Sequence, residues 1–163
     1  MMDTSLTTRT FEQSVHDLLN DYADCLNSDQ LDRWPQLFLE NGKYLILPRE
    51  NLEAGVDGGY WMYYTSQAMM RDRVTAIQHI IKYNKYYYRH LISNIKIKKN
   101  SDDEFGVRSN FLVTMVSYEG KFDTIISGEY RDTVLLSEGA LKFKEKLVIP
   151  DTFHTPSSIV KPL

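Results

Sequence analysis

The sequence predicts an α+β fold in which helices from the first half of the chain pack on a curved antiparallel sheet. Before residue 84, apolar residues recur mostly at the three- and four-residue spacing of amphipathic helices. After residue 84 they alternate with polar residues, as in half-buried strands. About three helices on one face of a partly closed sheet make a cone with the helices inside the curve. Such a cone either holds a ligand or is filled by its own side chains.

The helical half is predicted to contain three helices. Residues 1–8 have no periodicity and are expected to form a loose arm before a helix over residues 9–26. A second, short helix starts with a cap at residues 28–29, and a third, capped by Ser66, extends to about Lys82. Two short strands are predicted between the second and third helices, over residues 43–47 and 60–64.

The second half is predicted to contain four long antiparallel strands joined by short turns. Gly128 is the natural place for a bend in the third of them. In the first of these strands, simple alternation places four residues on one face. These four are Leu91, Ser93, Ile95 and Ile97. The four strands are expected over residues 86–99, 107–118, 122–136 and 141–149.

The last long strand has the clearest amphipathic pattern. Leu141 and Phe143 alternate with Lys142 and Lys144, and Lys146 is predicted to continue the series that faces solvent. An extended C-terminal tail, residues 151–163, should follow this strand. Residues 1–163 as a whole are expected to form a single domain.

Composition excludes several classes of protein. The formal net charge of −3 gives no general basic field, which weighs against nucleic-acid binding. No apolar stretch approaches the length of a membrane span, and no segment looks like a signal peptide. Cys25 is the only cysteine, so no internal disulfide can form, and a cytoplasmic location fits. No histidine pair has metal-ligand spacing, so we expect no metal site in this chain.

Four residues are candidates to line the cone if the chain is itself an acid–base enzyme. They are Tyr22, Asp24, His90 and Asn94. Tyr22 lies on the apolar stripe of the first helix, which favours a place in the core. Asp24 lies off that stripe, which favours a solvated carboxylate or an arginine pair.

A second set of residues is typical of a partner interface. Tryptophan and arginine are enriched where proteins associate. Arg89 and His90 could instead form a pair satisfied within the domain, and Arg71 and Arg73 could lie on a solvated helix shoulder. The interface candidates are Trp61, Arg71, Arg73, Arg89 and His90.

A series of short motifs, in order and with consistent spacing from about residue 10 to about residue 150, resembles a known family. No single motif is specific, but the series is. Its members are Tyr22-Ala23-Asp24-Cys25-Leu26 with Asp29 and Leu31, Trp34-Pro35-x-Leu37-Phe38, Tyr44, Arg49-Glu50-Asn51, Met69-x-Arg71-Asp72-Arg73-Val74 and Arg89-His90-Leu91-x-x-Asn94. The sequence resembles the small (beta) subunit of bacterial aromatic-ring-hydroxylating dioxygenases, in the branch that acts on aromatic acids such as anthranilate, salicylate or terephthalate.

The resemblance implies a cone like that of nuclear transport factor 2 and a structural role without catalytic residues. It also implies a large (alpha) subunit as partner, carrying a Rieske iron–sulfur cluster and a mononuclear iron, with no cofactor in this chain. The expected assembly is a hexamer of three large and three small subunits, in which this chain trimerises, and the whole enzyme would use electrons from NADH. Two alternatives remain, a stand-alone dehydratase, isomerase or cyclase with this fold, and a binding or dimerisation module without chemistry.

Overall fold

The sheet has six strands in the order β2-β1-β6-β5-β4-β3. The structure is a computed structural model that describes residues 4–56, 58–81, 85–154 and 159–163. Neighbouring strands run antiparallel except β1 and β6, which run parallel. The sheet is curved and unclosed, which confirms the predicted α+β fold. The strands are β1 Phe38–Ile46, β2 Met62–Tyr64, β3 Tyr86–Lys99, β4 Glu104–Ser117, β5 Phe122–Ser137 and β6 Ala140–Pro150.

Helices α1 and α3 cover the inner face of this sheet. Helix α1, Thr4–Asn27, packs against β3 and β6, and α3, Gln67–His79, packs against β1. The predicted cap of α3 is confirmed, because the Ser66 hydroxyl accepts a hydrogen bond from Met69 N. The predicted second helix is instead two 3₁₀ turns, and a short helix α2 lies within the predicted loop. These segments are Leu31–Arg33, Pro35–Leu37 and α2 Arg49–Glu53.

The N-terminal end of the chain differs from the prediction, whereas the C-terminal tail does not. Helix α1 begins at Thr4, so a loose arm is the wrong prediction for residues 4–8, and residues 1–3 lie outside the described residues. The predicted end of α3 at Lys82 and tail residues 155–158 also lie outside them. Residues 151–154 and 159–163 belong to neither helix nor strand. In the part of the chain that the structure describes, no helix is both long and apolar enough to cross a membrane.

A bulge in β3 changes which side chains face inward. Ser93 pairs with Asn110 and Lys96 with Arg108, so two residues, Asn94 and Ile95, lie opposite one residue of β4. Asn94 adopts a left-handed backbone with φ 54°. The predicted common face is therefore wrong, because a bulge reverses the alternation. Leu91 and Ser93 are exposed, whereas Ile95 and Ile97 pack on the core.

A second bulge, in β6, turns Lys146 into the interior. Thr133 of β5 pairs with Glu145 and Val134 pairs with Phe143, so Lys144 is an extra residue. As a result Phe143 and Lys146 are both fully buried, at 0% exposure, while Lys144 remains in solvent. The prediction that Lys146 faces solvent is wrong for this reason.

Gly128 allows a close approach between β5 and its neighbours. A Cβ atom at this position would lie 2.1 Å from Ile149 O and 2.8 Å from the Phe111 ring. The absence of a side chain thus lets the Phe111 ring stack on Tyr130, with ring centres 4.5 Å apart.

Candidate functional site

The interior of the cone is centred on Tyr22, which is fully buried. Its position on the apolar face of α1 directs it toward the sheet. The ring meets His90, Tyr130 and Phe143 edge-on, with ring centres 5.8–6.4 Å apart. Three strands and one helix therefore meet around a single aromatic side chain.

The hydroxyls of Tyr22 and Tyr44 converge on the main chain of Leu163. Both donate to Leu163 O, at 2.5 and 3.2 Å, and the Tyr44 oxygen accepts from Leu163 N at 2.8 Å. Burial raises the pKa of both phenols above the ordinary value of 10.0, because a phenolate would lose its hydration. Both hydroxyls therefore keep their protons and act as donors.

A buried ion pair lies beside these tyrosines. Lys146 Nζ is 2.9 Å from Asp132 Oδ2, and both side chains are fully buried. The same ammonium lies 3.7 Å from the centre of the Tyr130 ring and 4.3 Å from that of Tyr22, within range of cation–π attraction. Burial raises the pKa of Asp132 and lowers that of Lys146, and the attraction between the two groups opposes both shifts.

His90 is held neutral at the edge of this interior. Asn27 Oδ1 accepts from the backbone N–H of His90 at 3.0 Å and lies 2.7 Å from Nδ1. An amide oxygen only accepts, so the ring proton lies on Nδ1. Burial, followed by the charges of Lys146 and Lys161, lowers the pKa of His90 from 6.5 to about 3. Its Nε2 atom is buried without a partner among the described residues.

The tail segment, residues 159–163, closes the interior. Lys161 is buried and pairs with Asp29 at 2.6 Å, and its ammonium lies 4.7 Å from the centre of the Tyr88 ring. The Arg73 guanidinium donates to Val160 O at 2.7 Å. Leu163 is itself part of the hydrophobic core. The tail segment is thus integrated into the fold.

The structure brings together two of the four predicted cone-lining residues. Tyr22 and His90 are neighbours inside the cone. Asp24 does not line it, because it is exposed and pairs with Arg33 at 3.3 Å, one of the two roles that its place off the stripe favours. Asn94 is exposed at the β3 bulge and does not line the interior either.

Sequence reasoning missed the ion pair, Tyr44 and the tail segment. Asp132 and Lys146 lie 14 positions apart and meet only because a bulge reverses the alternation of β6. Tyr44 and Leu163 are separated by 119 positions. Local periodicity carries no signal for contacts at such separations. Glu145 is a charged residue where the alternation of Leu141 and Phe143 calls for an apolar one, and this is the one local sign of the bulge.

The outer face of the sheet shows the opposite chemistry. Apolar side chains are exposed here on β3, on β4, in the turn after β4 and at the start of β5. Tyr87 and Leu91 are each 53% exposed, Leu91 pairs directly with Leu112, and the Tyr87 ring stacks on Tyr118 with centres 4.5 Å apart. We call this surface the outer patch. It consists of Tyr87, Leu91, Leu112, Tyr118 and Phe122.

Of the predicted interface residues, the structure places Arg89 beside the outer patch. It is exposed between Tyr87 and Leu91, and it donates to Tyr88 O. Arg71 is exposed on α3, where it donates to Gln67. The remaining three are at least partly buried, and they do not join the outer patch. His90 faces inward, Trp61 packs against the core, and Arg73 contacts the tail segment.

The cone with packed helices is the nuclear transport factor 2-like fold. A crystal structure from Novosphingobium aromaticivorans, the beta subunit of a candidate aromatic-ring-hydroxylating dioxygenase, has the same fold. It superposes with a TM-score of 0.83 at 27% identity, over 94% of this chain and 97% of that one.

The sequence defines the family more narrowly. The family model described as ring hydroxylating beta subunit matches residues 22–154, and the chain belongs to that family. The anthranilate 1,2-dioxygenase small subunit of Burkholderia cepacia is 34% identical over 149 residues, covering 91% of this chain and 92% of the relative. A terephthalate 1,2-dioxygenase beta subunit of a Comamonas species is 26% identical over 142 residues, covering 87% and 92%. This chain is therefore the small subunit of an aromatic-ring-hydroxylating dioxygenase.

Proposed function

We propose that this chain is a structural subunit that holds the large subunits of its dioxygenase in register and contributes no catalytic residue. Membership of the ring hydroxylating beta subunit family over residues 22–154 is the observation that carries the proposal. The packed interior supports it, because Tyr22, Tyr44, Tyr130 and Lys146 are fully buried against one another and the tail segment.

The substrate of the whole enzyme is an aromatic acid under this proposal. Two relatives are named for anthranilate and terephthalate, both of which are aromatic carboxylates. The large subunit would carry the Rieske cluster and the mononuclear iron, with electrons from NADH, in the bacterial cytoplasm. The assembly would contain three copies of each subunit.

The residues that the structure describes do not fit either iron centre. Within the described ranges, no three His, Cys, Asp or Glu side chains are grouped to hold a metal ion. The Cys25 thiol is buried and donates to Tyr22 O at 3.2 Å. Burial raises its pKa to about 12, which keeps it protonated and unsuited to bind iron.

The outer patch, with Arg89, is the surface that we assign to subunit contact. Monomeric proteins rarely leave contiguous apolar side chains in water, and interface cores are rich in aromatic residues and arginine. Tyr87, Leu91 and Tyr118 are all more than half exposed. A partner that covers these side chains would remove this apolar surface from water.

A matched pair of tyrosine variants tests this assignment. Tyr87 and Tyr63 are each 53% exposed, but Tyr63 lies on β2, and four strands separate β2 from β3 in the sheet. After co-expression with the large subunit, we expect Tyr87→Ser and Arg89→Ala to reduce the hexamer fraction measured by native mass spectrometry. Tyr63→Ser should leave that fraction unchanged.

Two results would count against the proposal. If Tyr87→Ser and Tyr63→Ser assemble equally well, the outer patch is not the contact surface. If the parent chain never associates with a large subunit and purifies alone, the structural role itself is wrong.

A further inference from the structure

Three cationic residues form a row across the outer face of the sheet. Lys96 of β3 lies directly opposite Arg108 of β4, and Arg108 lies directly opposite Arg131 of β5. All three residues are exposed. Because neighbouring strands are about 4.8 Å apart, the row extends about 10 Å across three strands. We call these three residues the cationic row.

The bulge in β3 is the feature that brings Lys96 into this row. Counted from the exposed Leu91, simple alternation would turn position 96 toward the interior. The extra residue reverses this assignment, so Lys96 is exposed while Ile95 and Ile97 pack on the core. The cationic row therefore depends on the irregularity at Asn94 and not on the regular pleat of the strand.

Only part of the charge of the cationic row is balanced within the described part of the chain. Glu129 of β5 accepts from Arg108 at 2.8 Å and also from Arg131. Burial raises the pKa of Glu129, but the hydrogen bonds from the two arginines outweigh this effect and hold the pKa below the usual 4.5, so the carboxylate is ionised. Among the described residues, Lys96 takes part in no ion pair. Three cations thus share one carboxylate.

A polar cleft with a volume of about 390 Å³ lies beside Lys96 and Arg108. Asn94 and Asn110 also line it, and their side-chain amides are hydrogen-bond donors for an oxygen ligand. Like charges directly opposite each other destabilise a sheet, and the cationic row contains two such pairs. A negatively charged group bound in the cleft would relieve this repulsion.

The cationic row is continuous with the outer patch. Leu112 and Arg108 are exposed on the same face of β4, four residues and therefore about 13 Å apart. Interfaces commonly combine an apolar core with a polar rim, and one partner surface can cover both regions. The formal net charge of the chain is −3, so the cationic row is a local feature, which favours a protein carboxylate over a nucleic acid as its ligand.

We propose that the cationic row binds an acidic segment of the large subunit, with at least two carboxylates, when the outer patch is covered. The inference rests on the proposed structural role and adds the chemistry of the partner surface. One carboxylate of that segment pairs with Lys96, and another shares Arg108 and Arg131 with Glu129. Arginine binds carboxylates through parallel hydrogen bonds, which adds geometric specificity to the charge attraction.

The salt dependence of assembly tests this pairing. Mass photometry of the diluted, co-expressed complex measures its dissociation constant. We expect Lys96→Gln/Arg108→Gln to weaken the complex about tenfold or more at about 50 mM NaCl and to differ little from the parent at about 500 mM, because salt screens exposed charges. Lys43 is the matched control, since it is 51% exposed, lies on β1 and pairs with Glu145. Lys43→Gln should assemble as the parent does at both salt concentrations.

The isolated full chain distinguishes a binding role from a structural one. Lys96→Gln removes the repulsion with Arg108 and breaks no ion pair with a described residue. Its thermal midpoint should therefore equal or exceed that of the parent, although its complex is weaker. A lower midpoint in Lys96→Gln would mean that the lysine serves the fold of this chain, and it would overturn the inference.

The outcomes also separate this inference from the proposed function. If Tyr87→Ser weakens the complex and Lys96→Gln/Arg108→Gln does not, the outer patch is a contact surface but the cationic row is not. If the double variant weakens the complex equally at both salt concentrations, the loss is not electrostatic and the acidic segment is the wrong partner. If the parent chain does not associate with a large subunit at all, the inference and the proposed function both fail.

Discussion

The interior of the cone and the outer face of the sheet reverse the usual distribution of side chains. Lys146, Asp132 and His90 are buried inside, whereas Tyr87 and Leu91 are exposed outside. Buried polar groups are costly unless they are paired, and exposed apolar groups are costly unless they are covered. The interior meets its requirement largely within this chain, through ion pairs and hydrogen bonds. The apolar side chains of the outer patch, in contrast, remain exposed in the single chain.

This contrast predicts that the interior controls the stability of the chain and that the outer patch controls its association with other chains. Changes in the interior should alter the free energy of unfolding, because their partners lie in the same chain. Changes in the outer patch should alter assembly, because their partners lie in another chain. Two lysines of β6, Lys144 and Lys146, allow the first statement to be tested within one strand.

Lys146→Met should produce the largest loss of stability. It leaves Asp132 as an uncompensated buried carboxylate, and breaking a buried pair in this way typically costs about 3–5 kcal/mol. Lys144 pairs with Glu104 at the surface, so Lys144→Met should cost less than about 1 kcal/mol. Urea unfolding at pH 7 measures both.

The double variant Lys146→Met/Asp132→Leu checks the cause. It removes both charges, so it should recover much of the stability lost in the single variant. A double variant as unstable as Lys146→Met would show that packing around the lysine stem, and not the unpaired carboxylate, controls stability here.

Sequence periodicity predicted the fold class, the four long strands, the Ser66 cap and the place of Tyr22 in the core. These features depend on local spacing, which a single sequence displays. The wrong assignments of strand faces come from the bulges at Asn94 and Lys144, because one extra residue reverses every later assignment of faces. Simple alternation therefore assigns Leu91 to the same face as Ile95, and Lys146 to the same face as Lys144, whereas the structure puts the members of each pair on opposite faces.

The interior site could be predicted only in part. Tyr22 and His90 were candidates, since their residue types suit acid–base chemistry. The partners that define their environment, Lys146 and Leu163, come from distant parts of the chain. Only the three-dimensional structure brings these residues together, because each contact depends on strand order and on the course of the tail segment.

His90 should make stability depend on pH, with a smaller effect than that of the ion pair. Its pKa falls from 6.5 in the unfolded chain to about 3 in the folded one, so the unfolded chain binds a proton that the folded chain excludes. This contribution is fully present above pH 6.5 and is lost as the pH falls toward 3. At pH 5 the loss is about 2 kcal/mol relative to pH 7.

A comparison with His90→Gln isolates this titration. Glutamine does not titrate, so the stability difference between the parent and the variant should shrink by about 2 kcal/mol between pH 7 and pH 5. Guanidinium unfolding across this range provides the measurement. A difference that stays constant with pH would mean that His90 has the same pKa in the folded protein as in the unfolded chain.

Substitutions at Asn94 test the bulge that turns Leu91 outward and Ile95 inward, and they should have the smallest effect on stability. Asn94 has φ 54°, a conformation that glycine and asparagine adopt more readily than alanine does. Asn94→Ala should therefore cost about 1 kcal/mol, whereas Asn94→Gly should be neutral or slightly stabilising. Asn110→Ala, at an exposed position of β4 without positive φ, should change stability by less than about 0.5 kcal/mol. If Asn94→Ala costs no more than Asn110→Ala, the left-handed residue does not set the bulge. The division between the inner and outer faces of β3 would then depend on the packing of Ile95 and Ile97 alone.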